Sequence, residues 1–306
     1  GDDLLEEKEF NGEISWAGFG YTYFLFALIP DSNETQTMRV KKADSGLLMD
    51  LSGQSPVGSE STRYTLFIGP KDLNILKSLE RGLEESINFG YFGFVSAPLI
   101  QMLRYSHNYT ASYGIDIIIL TILMKLLLAP LTHKSFVSMK QMQKLQPQME
   151  RIKAKFKNDK EKLNKEIMEL YRRNKVNPLG GCLPMVLQFP VFLGLYNALR
   201  TPIELRHAPF MWIQDLSRPD WEALPVSLGD MSLGLPVLTL LMGASMFLQQ
   251  WMTPSAGDPN QRRMMLMMPV IFTALFVTFP AGLVIYWLVN NILSIGQQYL
   301  INRLHK

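Results

Sequence analysis

Apolar residues are concentrated in five blocks in the C-terminal two thirds of the chain, and polar or charged segments separate them. Each block has about 16 to 19 residues, which at about 1.5 Å per residue is near the lower limit for crossing about 30 Å of hydrocarbon as a helix. The pattern therefore predicts an all-α polytopic membrane protein with five transmembrane helices. The blocks are Tyr113–Leu131, Leu183–Leu199, Leu233–Trp251, Met264–Phe279 and Leu283–Ile301.

The first 70 residues have a different pattern, typical of β-structure. Short runs rich in aromatic and β-branched residues alternate with turns that contain Gly, Ser and Pro. About four strands are predicted, enough only for a partial β-sandwich. The runs are Ile14–Ile29, Thr37–Lys42, Gly46–Leu51 and Arg63–Ile68. Ile14–Ile29 could alternatively cross a membrane, but its two glycines, its many aromatics and its short apolar core favour strands.

Between these regions the sequence predicts two helices. Lys71–Arg81 is polar enough for a short surface helix, and Ser96–His107 is amphipathic. The second could lie in the membrane interface or serve as a plain linker. The expected domains are an N-terminal all-β segment at 1–82, a linker with an interfacial helix at 83–111, and a helical core at 112–306.

Residues 134–175 form a basic insertion in this core, with 13 Lys or Arg and five Asp or Glu. Apolar residues recur within it every three or four positions, which predicts two antiparallel helices of about 18 residues packed as a short coiled-coil hairpin. They are Met139, Met142, Leu145, Met149, Ile152 and Phe156, then Leu163, Ile167 and Leu170. The basic charge is either a solvated face that signals topology or a docking surface for an anionic partner, membrane or ribosomal RNA.

Positive loops remain in the cytoplasm, so this insertion predicts the orientation of the whole chain. The five spans then alternate with the N-terminal segment outside and the C-terminus inside. Phe279–Gly282 is expected to form a tight outer turn between the last two spans. The chain begins at Gly1 without a methionine or a signal peptide, and we expect it to be the remainder of a longer chain.

The composition excludes several kinds of function. A net charge of +3 is too small to indicate a nucleic-acid-binding protein, and a mean hydropathy of +0.06 averages a polar N-terminal third with apolar blocks. Cys182 is the single cysteine. The sequence contains no recognisable nucleophile–base pair, metal-ligand cluster or phosphate-binding glycine loop. We therefore predict no enzyme, no metal and no cofactor.

Lys125 is the most informative residue, because it lies well inside the first apolar block. A lysine at membrane depth costs about 3 kcal/mol on insertion scales. Thr121 is on the same helical face, four residues earlier. This face looks into a wet cavity, or Lys125 extends along its helix to the cytoplasmic headgroups; the sequence leaves both open.

Other polar residues recur inside the later blocks. They are Gln188, Gln249, Gln250, Asn290 and Asn291, with Tyr286 and Trp287 nearby. Singly, each amide is explained as a hydrogen bond between packed helices. Together with Lys125 and Thr121, they could instead line one hydrophilic recess.

Two segments resemble a known family. They are NPLGGCLPMVLQFPVFLGLYNAL (Asn177–Leu199) and FPAGLVIYWLVNN (Phe279–Asn291), with a basic hairpin ahead of the first. Residues 90–306 resemble the YidC/Oxa/Alb family of membrane protein insertases, in its bacterial Gram-negative branch. Residues 1–70 resemble the end of the large periplasmic β-sandwich of that branch, whose earlier part and preceding membrane anchor would be missing.

The resemblance implies a groove that is open to the cytoplasm and to lipid but closed toward the outside. The family's positive residue, usually arginine, falls on Lys125, which retains the charge but lacks the bidentate fork. The other implied groove residues are Thr121, Gln188, Tyr286, Trp287 (tyrosine in some members) and Asn290. Basic residues of the hairpin would contact cytoplasmic partners: Lys144, Arg151, Lys153, Lys155, Lys157 and Lys160.

The resemblance also implies the function and location. We expect an insertase and chaperone for nascent inner-membrane proteins, working in the bacterial inner membrane with the translating ribosome, the Sec translocon and membrane lipids. It would have no small-molecule substrate. Two alternatives stay open: a small-solute or ion transporter, which would also place a lysine and amides in the membrane, and a non-catalytic scaffold of the translocon.

Overall fold

The computed structural model describes residues 8–31, 35–43, 46–53, 63–87, 92–177, 180, 183–200, 203–223, 225–228, 231–253 and 259–304. The chain divides into two compact units. One comprises Gly1–Asn88 with Thr201–Ile203, and the other comprises Phe89–Arg200 with Glu204–Lys306. The first is rich in β-strands and the second is mostly helical.

The first unit contains two antiparallel three-stranded sheets, with strand orders β1-β4-β5 and β2-β3-β6. The strands are Lys8–Glu13 (β1), Ala17–Gly20 (β2), Phe24–Pro30 (β3), Thr35–Ala43 (β4), Gly46–Gly53 (β5) and Tyr64–Pro70 (β6). The predicted β-rich N-terminal segment is confirmed, with six described strands where about four were expected. Strand β1 was missed because its sequence, KEFNGE, is polar; its pairing with β4 makes it a strand.

The aromatic run Ile14–Ile29 forms the antiparallel hairpin of β2 and β3 rather than a membrane span. Gly18 allows the two strands to pair closely, because a Cβ at this position would lie 2.4 Å from the Phe26 carbonyl oxygen on the paired strand. A larger residue at position 18 would push the two strands apart. Alternate residues of β3 are buried, among them Leu25 and Ala27, as expected for a strand covered on one face.

A short helix, α1 (Leu73–Ser78), follows β6 and begins where the sequence predicts a surface helix. The Asp72 carboxylate caps it by accepting from the backbone N–H groups of Asn74 and Ile75, at 2.7 and 3.2 Å. A 3-10 turn at Leu83–Ser86 completes this part of the first unit.

The second unit contains eight helices within its described residues. They are Gly93–Thr110 (α2), Tyr113–Lys144 (α3), Gln146–Lys155 (α4), Lys160–Arg173 (α5), Leu183–Arg200 (α6), Val237–Met252 (α7), Pro259–Phe276 (α8) and Ala281–Leu304 (α9). A two-stranded antiparallel hairpin, Pro225–Leu228 (β7) with Met231–Gly234 (β8), lies between α6 and α7. Each predicted apolar block therefore coincides with a helix, although α7 starts four residues late because Leu233 and Gly234 belong to β8.

Among the described residues, one helix is long and apolar enough to cross a membrane by its length and composition, α3 at 32 residues. Val237–Met252 and Arg263–Phe276 are shorter apolar helices. The number of five spans is therefore still a prediction. The turn predicted at Phe279–Gly282 does separate α8, which ends at Phe276, from α9.

Helices α2, α3, α6, α7, α8 and α9 share one apolar core. Helix α2 packs closely on α6: the Ser96 hydroxyl donates to the Gly194 carbonyl at 2.9 Å, and a Cβ on Gly194 would lie 2.6 Å from Val95. The fully buried core side chains include Ile117, Leu195, Leu199, Met242, Phe276 and Leu283.

The loop between α6 and α7 supplies caps to two helices. The buried Asp220 carboxylate accepts from the backbone N–H groups of Leu238 and Thr239 and from the Thr239 hydroxyl, at 2.8, 3.3 and 2.6 Å. These bonds satisfy the free N–H groups that open α7, where a negative charge is also favoured by the helix dipole. Carbonyls of Leu216 and Arg218 likewise accept from the first N–H groups of α9, at 3.0 and 2.8 Å.

The basic insertion forms a helical hairpin, but the helices differ from those predicted. Helix α3 continues unbroken to Lys144, so the first arm is the end of α3 followed by α4, with ten residues, and the second is α5, with 14. Pro147, in the first turn of α4, restarts the helix at this point because proline is tolerated there and not in a helix interior.

The predicted apolar seam of the hairpin is confirmed for five of its nine residues. Leu145 and Met149 are buried, and Met142, Ile167 and Leu170 pack against them. The seam also includes Tyr171 and Val176, which the periodicity did not identify. Burial raises the pKa of the Tyr171 hydroxyl, which donates to the Met149 sulfur at 3.2 Å.

Candidate functional site: a polar seam between two helices

Lys125 is partly buried near the middle of α3, and its ammonium group contacts α9. The Nζ atom donates to the Ser294 hydroxyl at 2.5 Å, and that hydroxyl donates in turn to the Asn290 carbonyl at 2.7 Å. Lys125 is absent from the ion pairs formed by the described residues. Its charge is therefore stabilised by a neutral hydroxyl and is not cancelled by a carboxylate.

The direction of the Lys125 side chain follows from the positions of the two helices. A Cβ on Gly282, in the first turn of α9, would lie 3.2 Å from Ile117 of α3, so these two residues are at the same level. Lys125 is eight residues beyond Ile117 on α3, and Ser294 is 12 residues beyond Gly282 on α9. At about 1.5 Å per residue, the difference of four residues places the Ser294 backbone about 6 Å further toward the helix C-termini than that of Lys125. Lys125 therefore leans toward the C-terminal end, and its ammonium ends on Ser294.

A second polar contact joins α3 and α9 about two turns further along. The Gln297 amide donates to the Thr132 hydroxyl at 2.9 Å and to the Ala129 carbonyl at 3.3 Å, and Thr132 lies within 3.2 Å of the Gln297 amide oxygen. We call these two contacts, Lys125–Ser294 and Thr132–Gln297, the α3–α9 seam. Its α9 members, Ser294 and Gln297, were missed, although they follow the predicted Asn290 at the spacing of one helical face.

Other predicted groove residues also lie on the facing helices. Gln188 of α6 donates a hydrogen bond to the hydroxyl of Tyr286, which is buried on α9. Asn290 is partly buried one turn after Tyr286, and Ser294 follows one turn later. Tyr286, Asn290 and Ser294 thus form a polar stripe along α9 that contacts α6 at one end and α3 at the other.

Thr121 and Trp287 are in less polar surroundings. Thr121 is 1% exposed, and its hydroxyl donates to the Ile117 carbonyl of its own helix at 2.6 Å. The Trp287 ring contacts aromatic residues of α6 and α8: its centroid is 5.2 Å from that of Phe192 and 5.0 Å from that of Phe276. Trp287 therefore packs in an aromatic cluster, as aromatic pairs at these distances do.

Some of the amides in the apolar blocks join helices, as one of the two sequence interpretations expects. Asn291 donates to the Ser245 hydroxyl of α7 at 3.0 Å, and Gln298 donates to the Met252 carbonyl at 2.7 Å. Both amides are buried. These bonds hold α9 to α7.

The α3–α9 seam ends at a packed apolar layer near the start of both helices. Ile117 and Leu283 are completely buried, and Leu199 and Leu216 are nearly so. Ile118 is partly buried and packs against the same core. The dry layer lies within about the first turn of both helices, and the polar groups of the seam begin about three turns from the helix starts.

A buried carboxylate that the sequence did not suggest lies at the start of α3. Asp116 is completely buried; it accepts from the Thr110 hydroxyl at 2.6 Å and lies 2.9 Å from His107 Nδ1. The His107 ring also stacks on Tyr113, with centroids 3.7 Å apart. Asp116 is thereby satisfied by α2 and joins that helix to α3.

The predicted contact residues of the hairpin point away from its apolar seam. Lys153 is partly exposed and the others are exposed: Lys144, Arg151, Lys155, Lys157 and Lys160. Acidic residues on α5 are partly paired, since Arg173 donates to Glu169 at 2.6 Å and thereby lowers the pKa of that carboxyl. Across the described residues, no group of three or more His, Cys, Asp or Glu side chains is arranged to hold a metal ion.

Two parts of the chain match known protein families. The family described as 60Kd inner membrane protein matches residues 105–306, and the family described as YidC periplasmic domain matches residues 2–102. A solved structure described as an active YidC insertase, with its first transmembrane domain resolved, has a TM-score of 0.56 and 20% identity. It covers 97% of this chain and 80% of that one, which shows a similar fold.

Curated relatives named membrane protein insertase YidC are much more similar in sequence. The protein of Pelobacter propionicus is 49% identical and that of Syntrophus aciditrophicus 50%, each over 97% of this chain. The protein of Geobacter sulfurreducens is 47% identical over 98% of this chain. The chain spans 53 to 56% of the length of these relatives. Because the first family match covers more than half of the chain, the chain belongs to the 60Kd inner membrane protein family, that of the YidC insertases.

Proposed function

We propose that this protein inserts nascent membrane proteins into the bacterial inner membrane, using the α3–α9 seam and the polar stripe of α9 as a hydrophilic groove. The observation that carries the proposal is the Lys125 ammonium, which a neutral hydroxyl holds within the long apolar stretch of α3. Such a charge is costly in a membrane and is retained where it has a function. The names of the curated relatives support the same activity.

In this mechanism the substrate's short hydrophilic tail enters the groove from the cytoplasm. The tail then avoids crossing about 30 Å of hydrocarbon without solvation. Lys125 attracts acidic residues of the tail where the dielectric is lower than in water, so the attraction is stronger than at a surface. The apolar segment of the substrate leaves sideways into lipid, driven by its own burial. This account needs no nucleotide and no metal.

The proposed topology has five spans, α3, α6, α7, α8 and α9, with the N-terminal β-rich unit in the periplasm and the C-terminus in the cytoplasm. The basic hairpin supports this orientation because positive segments remain inside. Helix α2 would lie in the outer interface, which its exposed Phe94, Tyr105 and Tyr109 favour. The layer around Ile117 and Leu283 would close the groove toward the periplasm.

Reconstituted vesicles test the proposed function directly. Purified protein is incorporated into lipid vesicles, and a single-span substrate with a short acidic tail is added. We expect the substrate's tail to become protected from external protease, and no protection in vesicles without the protein. Uptake of small solutes or ions without insertion would indicate a transporter, and neither activity would indicate a scaffold; either result contradicts the proposal.

We further propose that the hairpin recruits the translating ribosome, and that the protein works alone or beside the Sec translocon. Replacing Met139–Arg173 by a short linker should weaken co-sedimentation with ribosomes and cotranslational insertion. The five long helices should remain in the membrane, because their shared core does not include the hairpin seam.

A charge-neutral hairpin is the matched control for this deletion. Glutamine at the six exposed or partly exposed basic positions keeps the apolar seam of Leu145, Met149 and Tyr171 while removing charge. Loss of ribosome binding in both variants assigns the contact to the charges. If ribosomes sediment equally with the wild type and with both variants, the hairpin is a topology signal only.

A further inference from the structure

Ser294 contacts the Lys125 ammonium, and the directions of its hydrogen bonds follow from its single hydroxyl proton. The hydroxyl has one proton, which it donates to the Asn290 carbonyl of its own helix at 2.7 Å. Toward Lys125, at 2.5 Å, it can therefore only accept. Ser294 is 4% exposed, so this acceptor is fixed in the helix interface and does not rotate freely in solvent.

We propose that Ser294 is a positioning residue, which holds the Lys125 ammonium at a fixed depth until a carboxylate of the substrate takes its place. This inference rests on the proposed insertion function. Lys125 already leans toward the C-terminal end, where its ammonium meets Ser294. Without an acceptor at Ser294, nothing in the described seam would stop the side chain from extending further toward the cytoplasmic headgroups.

The chemistry of the acceptor explains how the exchange works. A neutral hydroxyl satisfies one N–H of the ammonium without cancelling its charge, whereas a carboxylate adds the attraction between two unit charges. An acidic substrate tail therefore competes successfully with Ser294, and an uncharged tail does not. If the residue at 294 were itself a carboxylate, Lys125 would already be paired and the tail would gain little.

The α3–α9 seam contains its own control. Thr132 and Gln297 join the same two helices by hydrogen bonds of 2.9 and 3.2 Å, but they do not contact Lys125. Removing this contact weakens the association of the helices without moving the charge. A structural role of the seam and a positioning role of Ser294 are thus separable by mutation.

The test measures insertion of two substrates that differ only in the tail, one acidic and one uncharged, into vesicles containing each variant. For Ser294→Ala we expect insertion of the acidic-tailed substrate to fall at least about threefold, which is near the low end of the effect of one lost hydrogen bond, with insertion of the uncharged one unchanged. Ser294→Thr keeps the hydroxyl and should restore the wild-type ratio. Ser294→Asp should lower acidic-tail insertion to the level of Lys125→Ala.

Thr132→Val is the matched control and should change both substrates by the same factor. The proposal is overturned if Ser294→Ala keeps the wild-type ratio of the two substrates, or if Ser294→Asp inserts acidic tails normally. It is also overturned if Ser294→Ala lowers both substrates equally, as a purely structural residue would. Lys125→Ala in the same assay separates this failure from that of the proposed function: if it too leaves the ratio unchanged, the groove charge itself has no role.

Discussion

Lys125→Ala should lower the insertion rate of acidic-tailed substrates at least about tenfold, which corresponds to about 1.4 kcal/mol of lost stabilisation. Substrates without acidic residues in the tail should insert at the normal rate. The physical reason is the position of the charge. Two unit charges 4 Å apart attract by about 4 kcal/mol at the effective dielectric of a protein surface, and desolvation of both groups cancels part of this gain.

The fold should tolerate the loss of Lys125. Its partner Ser294 is left with the hydrogen bond to the Asn290 carbonyl, so no buried group becomes unsatisfied. Removing the lysine also removes the cost of placing a charge among apolar helices. A change in substrate insertion can therefore be assigned to the missing charge and not to unfolding.

Lys125→Arg and Lys125→Met are the controls for this prediction. Arginine keeps the charge, so insertion of acidic tails should be retained. Methionine keeps an unbranched side chain of similar length without the charge and should behave like alanine. Equal insertion of acidic tails by Lys125→Ala and by the wild type would show that the groove charge is not functional in this protein.

Water should reach Lys125 from the cytoplasmic side and stop before Ile117. A cysteine at position 125 should be modified by membrane-impermeant thiol reagents added on the cytoplasmic face, whereas one at position 117 should not react from either face. The difference should be nearly all-or-none, because Ile117 is completely buried in the apolar layer that also contains Leu283. An opening there would let ions cross a membrane that must hold a potential.

The labelling is done in a Cys182→Ser background, since Cys182 is the one cysteine of the sequence. Leu127→Cys is the matched control at nearly the same depth. Leu127 is 70% exposed on the outside of α3 and would face lipid, so its cysteine should not react. Modification of position 125 from the periplasmic face alone would overturn both the proposed topology and the proposed mechanism. No reaction from either face would indicate that Lys125 is not in contact with water.

The helical pattern could be predicted because burial and membrane insertion both depend on which residues are apolar. All five apolar blocks coincide with helices, and the seam of the hairpin contains most of the residues that recur every three or four positions. Helix ends were less predictable. Helix α7 begins after Pro236 because Leu233 and Gly234 pair in β8, a contact that depends on the chain's path in space.

The candidate site was likewise predictable only in part. Lys125 stands out because a charge in an apolar block is costly wherever it points. The sequence could not indicate that its partner is Ser294, 169 positions away. Thr121 was expected beside a wet surface, yet it is buried and bonds to its own backbone, an alternative open to any helical threonine.

The sequence alone establishes the two kinds of structure, the apolar helices, the basic hairpin and a charge at depth, because each depends on local composition and spacing. The tertiary structure adds the pairings: Lys125 with Ser294, Thr132 with Gln297, Gln188 with Tyr286, and Asp220 with the start of α7. These depend on how helices distant in sequence cross and at what level. A hydroxyl or amide has the same local preferences whichever helix it faces, so its partner is decided only by packing.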